Sequence, residues 1–144
     1  MWYKTTDYEG GIASPLIAWW PRGLKGKGRI SHRLSHIADI APTCLKLAGV
    51  SYPLQFQGRN VIPLAGKSIV SVLRGTDGDQ DAQRVIAWPK AVREGDWKLV
   101  MENRASPELY NIRQDRNEKK NLAAEFPNRV LKLKQLHAKT CSRP

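Results

Sequence analysis

Lys4 and the triplet Glu9-Gly10-Gly11 are the residues near the start of the chain whose types and spacing could support chemistry. A lysine ammonium attracts anionic groups and can stabilise negative charge on an oxygen. The two glycines reach backbone angles that other residues avoid, so residues 4–9 can turn sharply over the segment that follows. We therefore expect any chemistry to lie where this turn joins the next element.

That next element is predicted to be a strand. Residues 15–20, Pro-Leu-Ile-Ala-Trp-Trp, form a short apolar run that Pro21 ends. Pro15 stands at the first position, where a strand needs no backbone donor. The run therefore predicts a strand that is buried on both faces. Residues 22–29 predict an exposed loop, because their three glycines and four cations suit neither a core helix nor a buried strand. A phosphate-binding loop is the alternative, but the glycines lack its spacing.

Residues 31–50 carry the clearest helical pattern in the chain. Apolar residues cover one wide face, and Gly49 can supply a left-handed C-terminal cap. Because Pro42 is awkward inside a helix, Asp39 is predicted to be the N-cap, with residues 40–42 in the first turn.

Candidate metal ligands and nucleophiles are few. His36 and Asp39 allow a metal-ligand interpretation, but a histidine and an aspartate that anchor the start of a helix are the commoner case. The cysteines, Cys44 and Cys141, lack the spacing of a metal site and are too few for a disulfide framework. Cys44 is predicted to pack on the apolar face of its helix.

A short helix is predicted after Ser68, which could be its N-cap. The pattern of apolar residues then changes to the two-residue period of strands. Strands are predicted over residues 84–88, 91–101 and 108–112, the second interrupted by a turn at residues 94–96. Ile69, Val70, Val72 and Leu73 are expected to turn inward from the short helix. An amphipathic helix follows over residues 126–137, with Pro127 in its first turn and its lysines toward water.

Trp97 and Lys98 admit two interpretations. They could contact a substrate, or Trp97 could pack between the sheet and the C-terminal helix with an exposed Lys98 beside it. The second arrangement is the commoner one, and we predict it here.

The formal charge is +11, from 24 Lys and Arg against 13 Asp and Glu, which favours anionic partners. The basic residues are spread along the chain without a nucleic-acid-binding motif, so no specific nucleic-acid partner is predicted. No apolar run reaches the roughly twenty residues of a membrane span.

Three separated motifs resemble the sulfatase family, the arylsulfatase branch in particular. The first runs from Lys4 through Glu9-Gly10-Gly11 to Trp20-Pro21. The second is Ser-His-Ile-x-Asp-Ile-x-Pro-Thr-x-Leu-x-Leu-Ala-Gly-Val over residues 35–50. The third is Ala-Val-Arg-x-Gly-Asp-Trp-Lys-Leu-Val over residues 91–100, followed by Glu-Leu-Tyr-x-Ile from residue 108.

The resemblance implies an α/β fold class, α+β in isolation, as the C-terminal part of an alkaline-phosphatase-like sulfatase. Residues 1–75 would be a remnant of the large α/β domain and residues 76–83 a linker. Residues 84–144 would form a small subdomain in which antiparallel strands pack on a C-terminal helix. Met1 is then expected to begin a truncated or incomplete reading frame.

The resemblance also implies an activity: hydrolysis of sulfate esters by a formylglycine made from cysteine, with a divalent cation, usually calcium, held by several oxygen ligands. By position, Lys4 is the substrate-binding residue and contacts the sulfate. Neither Cys44 nor Cys141 lies in a Cys-x-Pro-Ser-Arg-like motif. The nucleophile and the calcium ligands are therefore expected in an N-terminal catalytic region, and this chain is predicted to hold no catalytic residue and no metal.

Two functional hypotheses follow. The first is the C-terminal part of an arylsulfatase-type enzyme, inactive by itself and periplasmic or secreted as the family resemblance implies. The second is a non-catalytic basic module that binds sulfated or phosphorylated polyanions. In either case the apolar run at residues 15–20 is expected to leave apolar surface exposed and to lower solubility.

Overall fold

The computed structural model describes residues 4–24, 28–76, 83–102 and 106–141. The chain divides into two compact units, Met1–Leu16 with Ala82–Pro144 and Ile17–Asp81. The first sixteen residues thus group with the C-terminal sheet, whereas the sequence suggested that they continue into residues 17–75. The linker predicted at residues 76–83 lies largely outside the described residues.

A four-stranded antiparallel sheet forms the centre of the first unit, and each strand pairs with its neighbour in the sequence. Gly95, with a φ of 56°, allows the tight turn that joins the second and third of these strands. The predicted strands and the predicted turn are confirmed. The described strands are β1 Gln55–Phe56, β2 Arg59–Asn60, β3 Val85–Trp88, β4 Ala91–Glu94, β5 Trp97–Val100 and β6 Glu108–Asn111, and the sheet order is β3-β4-β5-β6.

The predicted C-terminal helix is confirmed, and it begins at Pro127. It packs against β3, β4 and β5, with Val130 and Leu133 buried against apolar residues of the sheet. Full burial of such a side chain contributes about 1.5–3 kcal/mol, so this face stabilises the unit. The described α-helices are α1 Glu9–Ile12, α2 Ile40–Ala48, α3 Val70–Arg74 and α4 Pro127–Cys141.

The opposite face of the sheet is also covered. Tyr8, from the N-terminal segment, packs there against Ala91, Val100 and Tyr110. Side chains alternate between the two faces of a strand, so β5 sends Leu99 toward α4 and Val100 toward Tyr8. The sheet is therefore a middle layer, with a helix on one side and residues from the start of the chain on the other.

Helix α2 confirms the predicted ends but not the predicted packing. Asp39 is its N-cap, and Gly49 closes it in the left-handed conformation, with a φ of 68°. Thr43 is the buried residue of α2, whereas Cys44 is exposed. The prediction that Cys44 packs on a buried apolar face is wrong, because the contacts of this unit gather around Asp39 and Thr43 instead.

Asp39 and Thr43 join α2 to the segment before α3. The Asp39 carboxylate accepts hydrogen bonds from the backbone N–H groups of His36 at 2.7 Å and Lys67 at 2.9 Å. The Thr43 hydroxyl accepts from the backbone N–H of Ile69 at 3.0 Å. His36 and Asp39 therefore anchor a helix start, as predicted in preference to a metal site.

Helix α3 begins close to the predicted position. The Ser68 hydroxyl lies 3.4 Å from the backbone nitrogen of Val70 and accepts its hydrogen bond. Ile69, Val70 and Val72 are buried, as predicted, whereas Leu73 is half-buried.

The predicted buried strand over residues 15–20 is wrong for this chain. These residues adopt no regular structure, and the side chains of Ile17 and Trp19 are 89% and 87% exposed. A strand of this kind needs neighbours on both edges, and no strand pairs with it in the described part of the chain. No helix within the described ranges is both long and apolar enough to cross a membrane.

Candidate functional site

The candidate site is the N-terminal segment that begins at Lys4, and it is anchored to the sheet just after that residue. The backbone N–H of Asp7 donates to Glu102 Oε1 at 3.1 Å, while Asp7 Oδ2 accepts from the backbone N–H of Lys90 at 2.6 Å. Lys90 Nζ lies 2.7 Å from Glu102 Oε2. This hydrogen bond raises the pKa of Lys90 and lowers that of Glu102. Asp7 is therefore held through both its backbone and its side chain.

Tyr8 and Glu9 continue the anchoring. The Tyr8 hydroxyl donates to Glu108 Oε2 at 2.6 Å, and the backbone N–H of Glu9 donates to Glu118 Oε2 at 2.7 Å. Three consecutive residues are thus bound to side chains or backbone of the C-terminal region.

Lys4 itself is exposed. The next residue, Thr5, has a φ of 71°, in the left-handed region that a β-branched residue rarely adopts. Its hydroxyl donates to the carbonyl oxygen of Lys4 at 2.6 Å. Such a conformation costs about 1–3 kcal/mol and persists where the surrounding structure enforces it.

Lys98 lies in the interior, between two carboxylates. Its Nζ is 3.1 Å from Glu9 Oε1 and 2.8 Å from Glu118 Oε1, and Lys98 is 0% exposed. The prediction of an exposed lysine is wrong, because the segment that holds Tyr8 and Glu9 covers this face of the sheet.

Arg93 lies directly opposite Lys98 in the pairing of β4 with β5. Two like charges in this position repel each other, so the carboxylates around them are needed to balance the charge. Burial lowers the pKa of Arg93, and the nearby Glu9 carboxylate offsets part of that effect. Burial likewise raises the pKa of Glu118, which the ammonium of Lys98 opposes.

Glu118 reaches this cluster from a strained backbone position, with a φ of 53°. The turn that presents it is built around Asp115, whose Oδ2 accepts from the backbone N–H groups of Lys119 at 2.7 Å and Lys120 at 2.8 Å. Local hydrogen bonds therefore hold Glu118 in a conformation that is unfavourable for a residue other than glycine.

A second polar group, the half-buried Glu108, lies on the same face. Glu108 Oε2 accepts hydrogen bonds from the hydroxyls of both Tyr8 and Tyr110, each at 2.6 Å. Burial raises the pKa of both phenols above their ordinary value, and the hydrogen bonds to Glu108 add to the effect. Both tyrosines are therefore held neutral, as donors, and orient the Glu108 carboxylate.

Neither cysteine has the surroundings of an activated nucleophile. Cys44 is exposed on its helix. Cys141 Sγ lies 3.5 Å from Nε2 of His137, but the same nitrogen is 2.9 Å from the carbonyl oxygen of Trp88. When Nε2 donates a proton to that carbonyl, it cannot also accept one from the thiol.

Calcium does not fit the described residues. Among them, no three His, Cys, Asp or Glu side chains converge as a metal site would require. Glu9 and Glu118 do converge, but the ammonium of Lys98 lies within 3.1 Å of both carboxylates. A hard divalent cation takes six or more oxygen ligands, so this cluster binds a lysine instead of a metal.

Trp97 takes the predicted structural place. Its ring meets that of Phe126 edge to face, with centroids 5.2 Å apart, and the Arg129 guanidinium lies 4.3 Å from its centre. It packs against the same apolar cluster as α4. The structure therefore brings Trp97 to the helix side of the sheet and Lys98 to the other side.

The cluster of Lys98, Glu9 and Glu118 was not predicted from the sequence, although one signal was available. On β5, the position of Lys98 shares a face with Val100, and its partner on β6 is Tyr110. Apolar neighbours on that face indicate a covered surface. One side of the sheet is covered by α4 and the other by the N-terminal segment that carries the first motif. This arrangement defines an α+β domain.

Comparison with known proteins identifies the family to which this domain belongs. The family model described as "N-sulphoglucosamine sulphohydrolase, C-terminal" matches residues 1–142. The chain therefore belongs to the sulfatase family, as the C-terminal portion of such a protein.

Individual relatives agree. Human N-acetylgalactosamine-6-sulfatase is 42% identical over 62 residues, which are 42% of this chain and 12% of that protein. Rat arylsulfatase K is 26% identical over 150 residues, with 92% of this chain and 25% of that protein covered. An uncharacterised sulfatase of Schizosaccharomyces pombe is 33% identical over 130 residues, covering 83% and 23%. The chain spans a quarter or less of the length of these relatives.

One solved structure shares the fold. A protein of Bacteroides thetaiotaomicron assigned as a sulfatase matches with a TM-score of 0.50 and 25% identity, over 68% of this chain and 22% of that one. The helices, the four-stranded sheet and the small sheet are thus consistent with the C-terminal portion of a sulfatase.

Proposed function

We propose that this chain forms the C-terminal part of an arylsulfatase-type sulfate-ester hydrolase and that Lys4 contacts the sulfate of the substrate. The observation that carries the proposal is the family match over residues 1–142, which includes the Lys4 motif. The position of Lys4 within that match and the surroundings of its side chain support the proposed contact with sulfate.

Those surroundings suit an anion. Lys4 is exposed and has no carboxylate partner within the described ranges, whereas Lys90, Lys98 and Lys132 each have one. An ammonium without a carboxylate partner can attract a sulfate and stabilise negative charge on its oxygens. The anchoring of residues 7–9 limits how far this charge can move, which favours a defined contact.

We place the formylglycine nucleophile and the calcium ligands outside this chain, in an N-terminal catalytic region. Lys4 alone supplies charge but no nucleophile, so the 144-residue chain is expected to be inactive by itself. Its contribution to hydrolysis would be to bind and orient the sulfate.

Two assays on the purified chain test the proposal. With calcium and a chromogenic aryl sulfate, we expect no turnover. Turnover that Lys4→Ala abolishes would contradict this expectation and would direct attention to Cys44 and Cys141.

The second assay measures the sulfate contact directly. Acetic anhydride labels exposed amines, and bound sulfate should slow labelling of Lys4 when sulfate replaces chloride at constant ionic strength. Lys46, an exposed lysine on α2, is the internal control and should be labelled at the same rate in both salts. Equal rates for Lys4 in both salts would refute the sulfate contact.

The polyanion-binding alternative makes a different prediction. A general basic surface would bind heparin in a salt-sensitive manner, and the binding would survive Lys4→Ala because many charges share it. Loss of most of the retention on a heparin column in that variant would instead favour a localised site at Lys4.

A further inference from the structure

We infer that Lys98, together with Glu9 and Glu118, positions Lys4 for its anionic ligand. This inference rests on the proposed function of Lys4 and extends it to three residues that would act through the N-terminal segment. The three come from the first motif, the third motif and the loop after β6, so the ion cluster joins the lysine-bearing segment to the sheet.

The path from the cluster to Lys4 runs through Glu118 and Glu9. Glu118 is linked to Glu9 through Lys98. Nζ of Lys98 donates hydrogen bonds to Oε1 of Glu118 and to Oε1 of Glu9. Glu118 also binds Glu9 directly, through Oε2 and the backbone N–H of Glu9. One carboxylate thus fixes both the side chain and the backbone of a residue five positions from Lys4.

Thr5 stands between Glu9 and Lys4 in a strained backbone conformation. A β-branched residue at a φ of 71° returns to a more favourable conformation unless the chain on at least one side is fixed. The fixed side is residues 7–9. Release of Glu9 would remove one of these three anchors and leave those of Asp7 and Tyr8. Thr5 should then relax more readily, and the direction in which Lys4 leaves the segment would change with it.

The contact of Lys98 with Glu9 and Glu118 is an ion pair in the protein interior. Apolar side chains of similar size usually stabilise a protein interior as well as a buried ion pair does. An ion pair adds direction, since Nζ of Lys98 must meet two carboxylate oxygens at 3.1 and 2.8 Å. A ligand-binding residue is positioned by directional contacts that fix the segment carrying it. The ion pair supplies such a contact at Glu9, in the segment that carries Lys4.

Hydrogen–deuterium exchange followed by mass spectrometry tests the positioning. The peptide that spans residues 4–13 should exchange slowly in the parent chain, because backbone N–H groups of Asp7 and Glu9 are hydrogen-bonded. In Lys98→Met and in the milder Glu118→Gln we expect exchange of this peptide to be about tenfold faster or more, while a peptide from α4 stays protected. Lys132→Met is the matched control, because it breaks the Lys132–Glu94 pair, which includes no residue of the N-terminal segment.

The same proteins are then labelled with acetic anhydride in sulfate and in chloride. Loss of the sulfate protection of Lys4 in Lys98→Met and Glu118→Gln, with protection retained in Lys132→Met, would support positioning. The positioning role would be overturned if Glu118→Gln is folded and matches the parent chain both in the sulfate protection of Lys4 and in the hydrogen–deuterium exchange of residues 4–13. If sulfate fails to protect Lys4 even in the parent, the proposed function is refuted, and the exchange data alone still decide whether the cluster fixes the segment.

Discussion

Lys98 and Glu9 are 89 residues apart in the sequence, yet Nζ of Lys98 lies 3.1 Å from Oε1 of Glu9. The two belong to different motifs of the family, one at the start of the chain and one on β5. Their contact is one of several that join the N-terminal segment to the C-terminal sheet, with which it forms one compact unit. It also makes the stability of the sheet and the placement of Lys4 depend on the same side chains.

Removal of the buried ammonium should be costly. In Lys98→Met two carboxylates remain in the interior without their cation, and we expect the free energy of unfolding to fall by about 3–5 kcal/mol. Urea denaturation followed by tryptophan fluorescence measures this loss. Lys132→Met removes a lysine whose side chain is 58% exposed, so it should cost no more than about 1 kcal/mol. Equal losses in the two variants would contradict the role of burial.

Glu118 predicts a dependence of stability on pH. Burial raises its pKa above the ordinary value of 4.5, so the folded state holds the proton more tightly than the unfolded state. The stability from this group is fully present below the unfolded pKa and is lost as the pH rises through the folded pKa. The difference in unfolding free energy, parent minus Glu118→Gln, should therefore decrease from pH 4.5 upward, since glutamine does not titrate.

Urea denaturation at a series of pH values measures that difference. Carboxylates with lowered pKa values, such as Glu102, act in the opposite direction, but they are present in both proteins and cancel. A difference that grows with pH would show that the ion pair with Lys98 outweighs the burial of Glu118.

Relief of strain at Thr5 should stabilise the chain. Asparagine tolerates the left-handed conformation better than a β-branched residue does, so Thr5→Asn should raise the free energy of unfolding by about 1 kcal/mol. Thermal unfolding measures the change. Thr5→Val keeps the branch and removes the hydroxyl that donates to the Lys4 carbonyl oxygen, so it should destabilise. A loss of stability in both variants would contradict the assignment of strain.

The apolar side chains at Ile17 and Trp19 should limit solubility. They are almost fully exposed, and clustered apolar surface promotes association. We expect Ile17→Ser with Trp19→Ser to shift the sedimentation of the purified chain from aggregates toward a monomer. The same change at Leu131, a less exposed apolar residue on α4, should have little effect. A parent chain that sediments as a monomer would contradict the prediction.

The local sequence was sufficient for elements whose determinants are neighbours in the chain. Gly49 ends α2 because glycine adopts the left-handed conformation at little cost, and Pro127 begins α4 because the first turn needs no backbone donor. The turn at Gly95 and the alternation along β4 and β5 identified two paired strands. The three motifs, read in order, were enough to indicate the sulfatase family.

Burial depended on residues far away in the sequence, and the tertiary structure alone decided it. Lys98 appeared to be a surface lysine beside Trp97, because the segment that covers it lies nearly ninety residues earlier in the chain. Residues 15–20 appeared to be a buried strand, because an apolar run does not show whether other strands are present to pair with it. Sequence pattern thus determined the conformation of each segment, whereas exposure and charge pairing were decided by which distant segments came to lie against it.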